Sequence, residues 1–351
     1  MGGAVDMGSH KGRNWIVIIA ALVVIIAGIQ AAAPLIVPFL LAAFIAIICL
    51  PALNWLSTHR ISTTMGITII AVSIIILGLL LGAFVGSAAA DFSQKLPFYQ
   101  SRLEALTSGT VSWLSGLGIE ISLASILDMI DPAAIMDMAG RLVSGLGNAL
   151  ANTFLIILAV VFLLIEAVAL PNKWKAMGDH APSMAGLEKF VTSVSSYLAI
   201  KAWVSLATGV FIAVWLAILG VDFPLLWGLV AFLFNFVPNI GSVIAAVPAV
   251  MLALIQLGGI EALVTSLGYA LVNVIMGNVI EPRVMGRNLG LSPLVVFLSL
   301  VFWGWMLGPV GMLLSVPLTI IAKLGLESSR DTYWLAVLIG PNTPETPREE
   351  S

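Results

Sequence analysis

Residues 225 to 257 read LLWGLVAFLFNFVPNIGSVIAAVPAVMLALIQL, thirty-three positions without one charge, interrupted at Val237-Pro238-Asn239-Ile240-Gly241. At about 1.5 Å per residue the run makes roughly 50 Å of helix, whereas two full crossings of a bilayer core need about 60 Å. Apolar length of this kind belongs in lipid. A helix-stopping proline beside a permissive glycine folds it in the middle. The stretch therefore reads as a helical hairpin in a membrane, short of two crossings.

Residues 294 to 323 repeat the pattern, thirty positions broken at Gly308-Pro309-Val310-Gly311. The segments after the two breaks also echo each other. Ile240-Gly241-Ser242-Val243-Ile244-Ala245-Ala246-Val247-Pro248 stands beside Val310-Gly311-Met312-Leu313-Leu314-Ser315-Val316-Pro317, one residue shorter. Opposed, sequence-related broken hairpins are what an inverted-repeat transporter presents. Unwound backbone at membrane depth is tolerated only where protein or a water-filled cavity surrounds it. The plainer alternative is a pair of kinked helices in a close-packed bundle, since Pro and Gly are common in membrane helices.

The rest of the chain agrees with a membrane reading. Of 351 residues, 60% are hydrophobic and 9% charged, against about a quarter charged in a soluble domain. Further apolar runs cover 15 to 33, 35 to 50, 64 to 90, 153 to 170, 204 to 219 and 262 to 280. The fold class is an all-α polytopic membrane protein of about eight membrane segments, because open strand edges leave amides unpaired in lipid. The net charge of -3 and the lack of a basic stripe exclude nucleic acid as a partner. Cys49, alone of its kind, forms no intrachain disulfide.

Lys and Arg accumulate in cytoplasmic connections and so orient the chain. Lys11 and Arg13 place residues 1 to 14 inside, and a tight pair of helices turning at Pro34 returns Arg60 there. Membrane helices fill 15 to 90. Residues 91 to 150 form an extracytoplasmic insertion of short amphipathic helices, with Lys95, Arg102 and Arg141 set against six acids. Within it Asp131 and Pro132 make a helix start, and Leu142, Leu146 and Leu150 follow at helical spacing. Lys173, Lys175, Lys189 and Lys201 mark the next inside connection. A transport core spans 151 to 325, with outside turns at Asp222 and Glu261 and an inside turn at Arg283 and Arg287. Residues 326 to 351 are a cytoplasmic tail, partly disordered at its proline-rich acidic end.

Ionisable groups within the spans are few, and such groups are usually functional. Glu166 and Glu281 are the two candidates for ion coupling, though Glu166 is one turn from the inner end of its run and is equally suited to snorkelling. Asn273, Gly277 and Glu281 share an α-helical face, with Arg283 in reach of Glu281. Amides supply the remaining polarity at depth: Asn235, Asn239, Asn273, Asn278 and Gln256. They donate and accept, which suits a neutral, hydroxyl-rich solute. The competing role, bonding between helices, is favoured for Gln256. No phosphate-binding loop, metal-ligand spacing or hydrolase motif appears, so neither an enzyme nor a cofactor or metal is expected.

Three stretches carry a family resemblance. They are Phe234 through Ser242, Gly277-Asn278-Val279-Ile280-Glu281-Pro282-Arg283-Val284-Met285-Gly286-Arg287 continuing to Pro293, and Phe302-Trp303-Gly304-Trp305-Met306-Leu307-Gly308-Pro309-Val310-Gly311. Together they resemble the autoinducer-2 exporter family. The likeness covers nearly the whole chain apart from the first dozen residues and the tail. It implies a bacterial inner-membrane protein, export of autoinducer-2, membrane lipid as surroundings, and a homo-oligomer, a pentamer. The same family contains sodium/proton antiporters. The expected function is thus a secondary transporter or facilitator exporting a small polar signal. Asn235, Pro238, Asn239 and Gly241 would shape one gate, Asn273, Asn278, Glu281, Arg283 and Arg287 the inner mouth, and Gly308, Pro309 and Gly311 the second hairpin. Cation/proton antiport and a non-transporting membrane scaffold stay open as alternatives.

Overall fold

The computed structural model describes residues 20–21, 23–116, 153–177, 184–237, 240–285, 291–327 and 332–340. Expectations for Asp131 and Pro132, for the leucines at 142, 146 and 150, for Pro238, Asn239 and Arg287, and for both chain ends lie outside them. Every regular element among the described residues is helical, as lipid requires of a backbone that must satisfy its own hydrogen bonds.

The chain runs α1 (Ala33–Thr58), α2 (Thr63–Gly116), α3 (Thr153–Ala176), α4 (Met184–Leu219), α5 (Pro224–Phe234), α6 (Ile240–Gln256) and α7 (Gly259–Asn273). A π-helical segment, Val274–Ile280, joins α7 to α8 (Glu281–Met285), and α9 (Pro293–Leu313), α10 (Ser315–Glu327) and α11 (Tyr333–Ile339) follow. Among the described residues six helical stretches are, by length and composition, long and apolar enough to cross a membrane: Ala33–Thr58, Thr63–Leu103, Leu155–Ala176, Val191–Leu219, Gly259–Ile280 and Pro293–Leu313, the last of them interrupted at Gly308. The arms α5 and α6, at 11 and 17 residues, are shorter. Large apolar side chains such as Leu79, Phe162, Ile218 and Leu294 stand exposed, the pattern of a surface whose solvent is hydrocarbon.

Pro34 sits in the first turn of α1, where its missing N–H is no loss. The break before it is the single residue Ala32, which keeps right-handed dihedrals and lies between the α-helical bonds Ala32 N–H to Gly28 O and Ile36 N–H to Ala32 O, so the chain does not turn back at Pro34 and the expected tight pair of helices is not formed by the described residues. The described part of the 91 to 150 segment differs from the short amphipathic helices expected there. Residues 91–116 continue α2 without interruption through Pro97, so that α2 is 54 residues long, a rod of about 80 Å. No glycine stands between Ser87 and Ser108, and a lone proline bends a helix more readily than it ends one.

This rod is fastened to the turn after α4. Lys95 Nζ donates to Asp222 Oδ2 at 2.9 Å, and the buried Tyr99 hydroxyl donates to the same oxygen at 2.6 Å. Gln256, the last residue of α6, closes the other side. Its Nε2 donates to the Gly220 carbonyl at 3.0 Å, and its Oε1 accepts from the Asp222 amide at 2.8 Å. The amide expected to hold structure together does so. The start of α5 and the end of α6 are thereby pinned at one end of α4, and the two arms form a hairpin. Its packing on α4 is close, since a methyl group added at Gly209 would meet the Gly228 carbonyl oxygen at 2.7 Å. Phe92, Tyr99, Trp227, Ala245, Ala249 and Tyr269 belong to the core this creates.

Both expected breaks are real, and they are built alike. Between α5 and α6 the helix lapses at residues 235–237, and a Cβ at Gly241 would run into the Phe234 carbonyl. In α9 the lapse is at Gly308, with φ 70° and ψ -154°, and a Cβ at Gly311 would run into the Trp303 carbonyl. The sequence echo thus marks the same act in each hairpin: the second arm starts by laying a glycine on the last carbonyls of the first. Trp303 Nε1 donates to Thr319 Oγ1 at 3.0 Å and ties α9 to α10.

Candidate functional site

One face of α4 carries Tyr197, Lys201 and Ser205 at four-residue spacing, with Thr208 one turn further. Side chains three and four apart are neighbours on a helix. All four are buried, and Lys201 has only 3% of its side chain exposed. Among the described residues two polar side chains from later in the chain bond to this face.

The first is Glu281. The π segment delivers it at the start of α8, and Lys201 Nζ donates to its Oε1 at 2.6 Å, the carboxylate being 20% exposed. A single charge at this depth would be costly; the pair relieves each member of facing apolar surroundings alone. The second is Asn235, at the tip of the first hairpin, whose Nδ2 donates to Ser205 Oγ at 2.9 Å with both residues buried. Ser205 stands fourteen residues before the end of α4 at Leu219. The hairpin tip therefore meets α4 about 21 Å in from that end.

These contacts revise several sequence expectations. Lys201 is not in an inside loop but deep in a 36-residue helix. It, and not Arg283, is the partner found for Glu281; Arg283 is exposed. The α-helical face proposed for Asn273, Gly277 and Glu281 is altered by the π turn, whose bonds run i to i+5. Asn273 still lies over Gly277, its Oδ1 3.7 Å from where a Cβ would be, while Asn278 faces outward. Glu166 is 55% exposed and accepts from Lys173 Nζ at 2.6 Å, which is the snorkelling arrangement. Gly241, Gly308 and Gly311 sit at the hairpin breaks described above, with Pro309 directly after the non-helical Gly308.

Sequence reasoning passed over Lys201 and Ser205. Lys201 was counted as a loop charge because the apolar run after it opens at 204. A signal was available: Tyr197, Lys201, Ser205 and Thr208 recur with helical period into that run. No group of three or more potential metal ligands comes together among the described residues, and the donor set here is one carboxylate, one ammonium, one amide and one hydroxyl.

Comparison with known proteins bears on what such a site serves. Residues 19–331 match the family described as AI-2E family transporter. The chain is 42% identical to the AI-2 transport protein TqsA of Escherichia coli (strain K12), over 94% of this chain and 96% of that protein. It is 40% identical to the putative transport protein YhhT of the same organism, over 95% of this chain and 96% of that one. A sodium-lithium/proton antiporter of Halobacillus andaensis is 23% identical over 92% of this chain and 97% of its own length.

Proposed function

The chain belongs to the AI-2E transporter family, and on that premise we propose that it exports autoinducer-2, a small polar signal, across the bacterial inner membrane. The observation that carries this reading is the meeting of the hairpin tip with the polar face of α4: Asn235 on Ser205, one helical turn from Lys201 on Glu281. Polar groups gathered where a broken helix ends at membrane depth are the furniture of a solute pathway. The relation to TqsA, which carries AI-2 transport in its name, supports the choice of solute.

On this reading the first hairpin is re-entrant. It enters and leaves at the outer end of α4, its arms are 11 and 17 residues long, and its tip stops about two-thirds of the way through a hydrocarbon layer about 30 Å thick by the depth given above. The second hairpin enters from the inside, giving about eight membrane segments in all. Asn235, Pro238, Asn239 and Gly241 shape the outer gate; Asn273, Asn278, Glu281, Arg283 and Arg287 the inner mouth; Gly308, Pro309 and Gly311 the second hairpin. Both termini are read as cytoplasmic, which Lys11 and Arg13 at one end and Lys323 and Arg330 at the other support. The working unit is a homo-oligomer, a pentamer, embedded in membrane lipid.

A second reading, sodium/proton antiport, is favoured by one observation, the carboxylate of Glu281 at depth, and by the distant Halobacillus relative. Purified protein in liposomes separates the two. Protein-dependent flux of autoinducer-2 without sodium-dependent proton movement supports export; the reverse result removes it.

A further inference from the structure

Lys201 and Ser205 were not part of the expected pathway, and the contacts they make say what kind of solute the site takes. We propose that Lys201 and Ser205 of α4, with Asn235 of the hairpin tip and Glu281 beyond the π segment, form the solute-recognition site, and that its ligand is an uncharged molecule bearing hydroxyl and carbonyl groups. This rests on the reading of the chain as a solute exporter and goes beyond it by naming the site and the ligand chemistry.

The four side chains sum to zero, one ammonium against one carboxylate at 2.6 Å, with Lys201 almost wholly buried. A monovalent cation entering would meet the ammonium and an anion would meet the carboxylate. Either would leave one buried charge facing its like, in a medium where such terms are large. A neutral ligand disturbs nothing of this balance.

Hydrogen-bond capacity comes next. An ammonium has three donors, a carboxylate two acceptor oxygens, and a hydroxyl and a primary amide each both donate and accept. The contacts Lys201 to Glu281 and Asn235 to Ser205 use one donor and one acceptor in each pair. A ligand hydroxyl donates and accepts at once, so one placed between Lys201 and Glu281 replaces their mutual contact on both sides. A ligand carbonyl takes the Asn235 amide in place of Ser205. Each pair thus keeps donors and acceptors to spare beyond its mutual contact.

The fold supplies the means of opening. Glu281 is delivered by seven residues of π helix, a rare geometry found mostly as short insertions in α-helices and frequently at functional sites. Converting i to i+5 bonds into i to i+4 bonds turns everything downstream about the helix axis and carries the carboxylate off Lys201. The hairpin, by contrast, is pinned at its base by Gln256 and against α4 at Gly209, so Ser205 and Asn235 stay in register. The solute is held by the fixed pair and released by the mobile one.

The test measures binding to the full-length purified protein, by displacement of labelled autoinducer-2 and by thermal stabilisation. The probes are dihydroxyacetone and ribose as neutral hydroxy-carbonyl compounds, glycerate as the matched anion, and sodium and lithium chloride. Wild-type protein is expected to be stabilised by a neutral probe or by autoinducer-2 and not by the anion or the salts. Ser205→Ala removes one neutral hydrogen bond and should weaken that binding about 3- to 10-fold; because it also takes away the partner of the buried Asn235 amide, binding is compared at a temperature below the variant's own lowered melting point. The double variant Lys201→Met/Glu281→Gln, which leaves no lone charge, removes the partners of the ligand hydroxyl and should weaken neutral-probe binding without gaining affinity for sodium or glycerate. Stabilisation by sodium or glycerate that disappears in the double variant overturns the proposal, as does binding unchanged in both Ser205→Ala and the double variant. The outcomes also separate this inference from the export reading. Ser205-dependent binding of a neutral probe without autoinducer-2 flux sinks the choice of autoinducer-2 alone; autoinducer-2 flux with an unchanged KM in both variants sinks the site alone.

Discussion

The Lys201 ammonium lies 2.6 Å from the Glu281 carboxylate, a contact between residues eighty positions apart that joins the middle of α4 to the end of the π segment. Each charge is the other's compensation. Removing one strands the second, so Lys201→Met and Glu281→Gln singly should each destabilise the protein by about 3–5 kcal/mol. The double substitution should recover most of the loss. Thermal unfolding in detergent of the three variants reads this directly, and a double variant no better than the worse single would contradict it.

Gly241 and Gly311 occupy equivalent places in the two hairpins, each against a main-chain carbonyl, of Phe234 and Trp303 respectively. A rigid carbonyl cannot step aside for a side chain. Gly241→Ala and Gly311→Ala should each reopen a hairpin and abolish transport, with lower yields of folded protein. Gly86→Ala is the matched control, because nothing lies within 4 Å of a Cβ there; helix propensity predicts it neutral or stabilising by up to about 1 kcal/mol. Flux and melting temperature on the three variants decide.

Gln256 bridges the Gly220 carbonyl and the Asp222 amide. Substitution by Leu keeps the bulk and removes both bonds, at a cost of about 1–3 kcal/mol for groups left without a partner. The effect should be local first: hydrogen exchange at residues 220 to 223 should accelerate more than exchange in the α5 core. Equal exchange in variant and wild type would show that the clamp is not what holds the hairpin's base.

Glu166 and Lys173 pair at 2.6 Å with more than half of each side chain exposed, and exposed pairs contribute about 0–1 kcal/mol. Glu166→Gln should therefore leave both stability and flux close to wild type. A large loss of sodium-dependent proton movement in that variant would bring the antiport reading back.

Orientation can be read chemically in a Cys49→Ser background. A cysteine replacing Asp91, which is exposed on the extension of α2, should react with an impermeant thiol reagent added outside intact cells, whereas one replacing Lys175 should react only after permeabilisation. Reversal of the two results would invert the topology and with it the direction assigned to both hairpins.

How much of this was legible in the chain itself differs from residue to residue. The breaks at residues 237–241 and 308–311 were readable because proline and glycine act on their own backbone, within a turn. The echo between the two segments was readable for the same reason, and its meaning, a glycine laid on a carbonyl, followed once the hairpins were seen. The continuation of α2 to Gly116 was not readable, since the loss of apolar character at Asp91 looks like the end of a helix, whereas the helix runs on through it. Pairing Glu281 with Arg283 was a choice of the nearest charge in sequence, and the choice failed because a π turn re-aims the carboxylate toward another helix.

The sequence by itself determined a helical membrane protein with two interrupted hairpins, because apolar length and backbone stereochemistry are local quantities summed along the chain. Only the tertiary structure decided that Lys201 belongs to the interior and that Ser205 and Asn235 meet. A buried charge is stable where a partner is brought to it across the fold, and nothing in the residues beside Lys201 records that Glu281 will arrive.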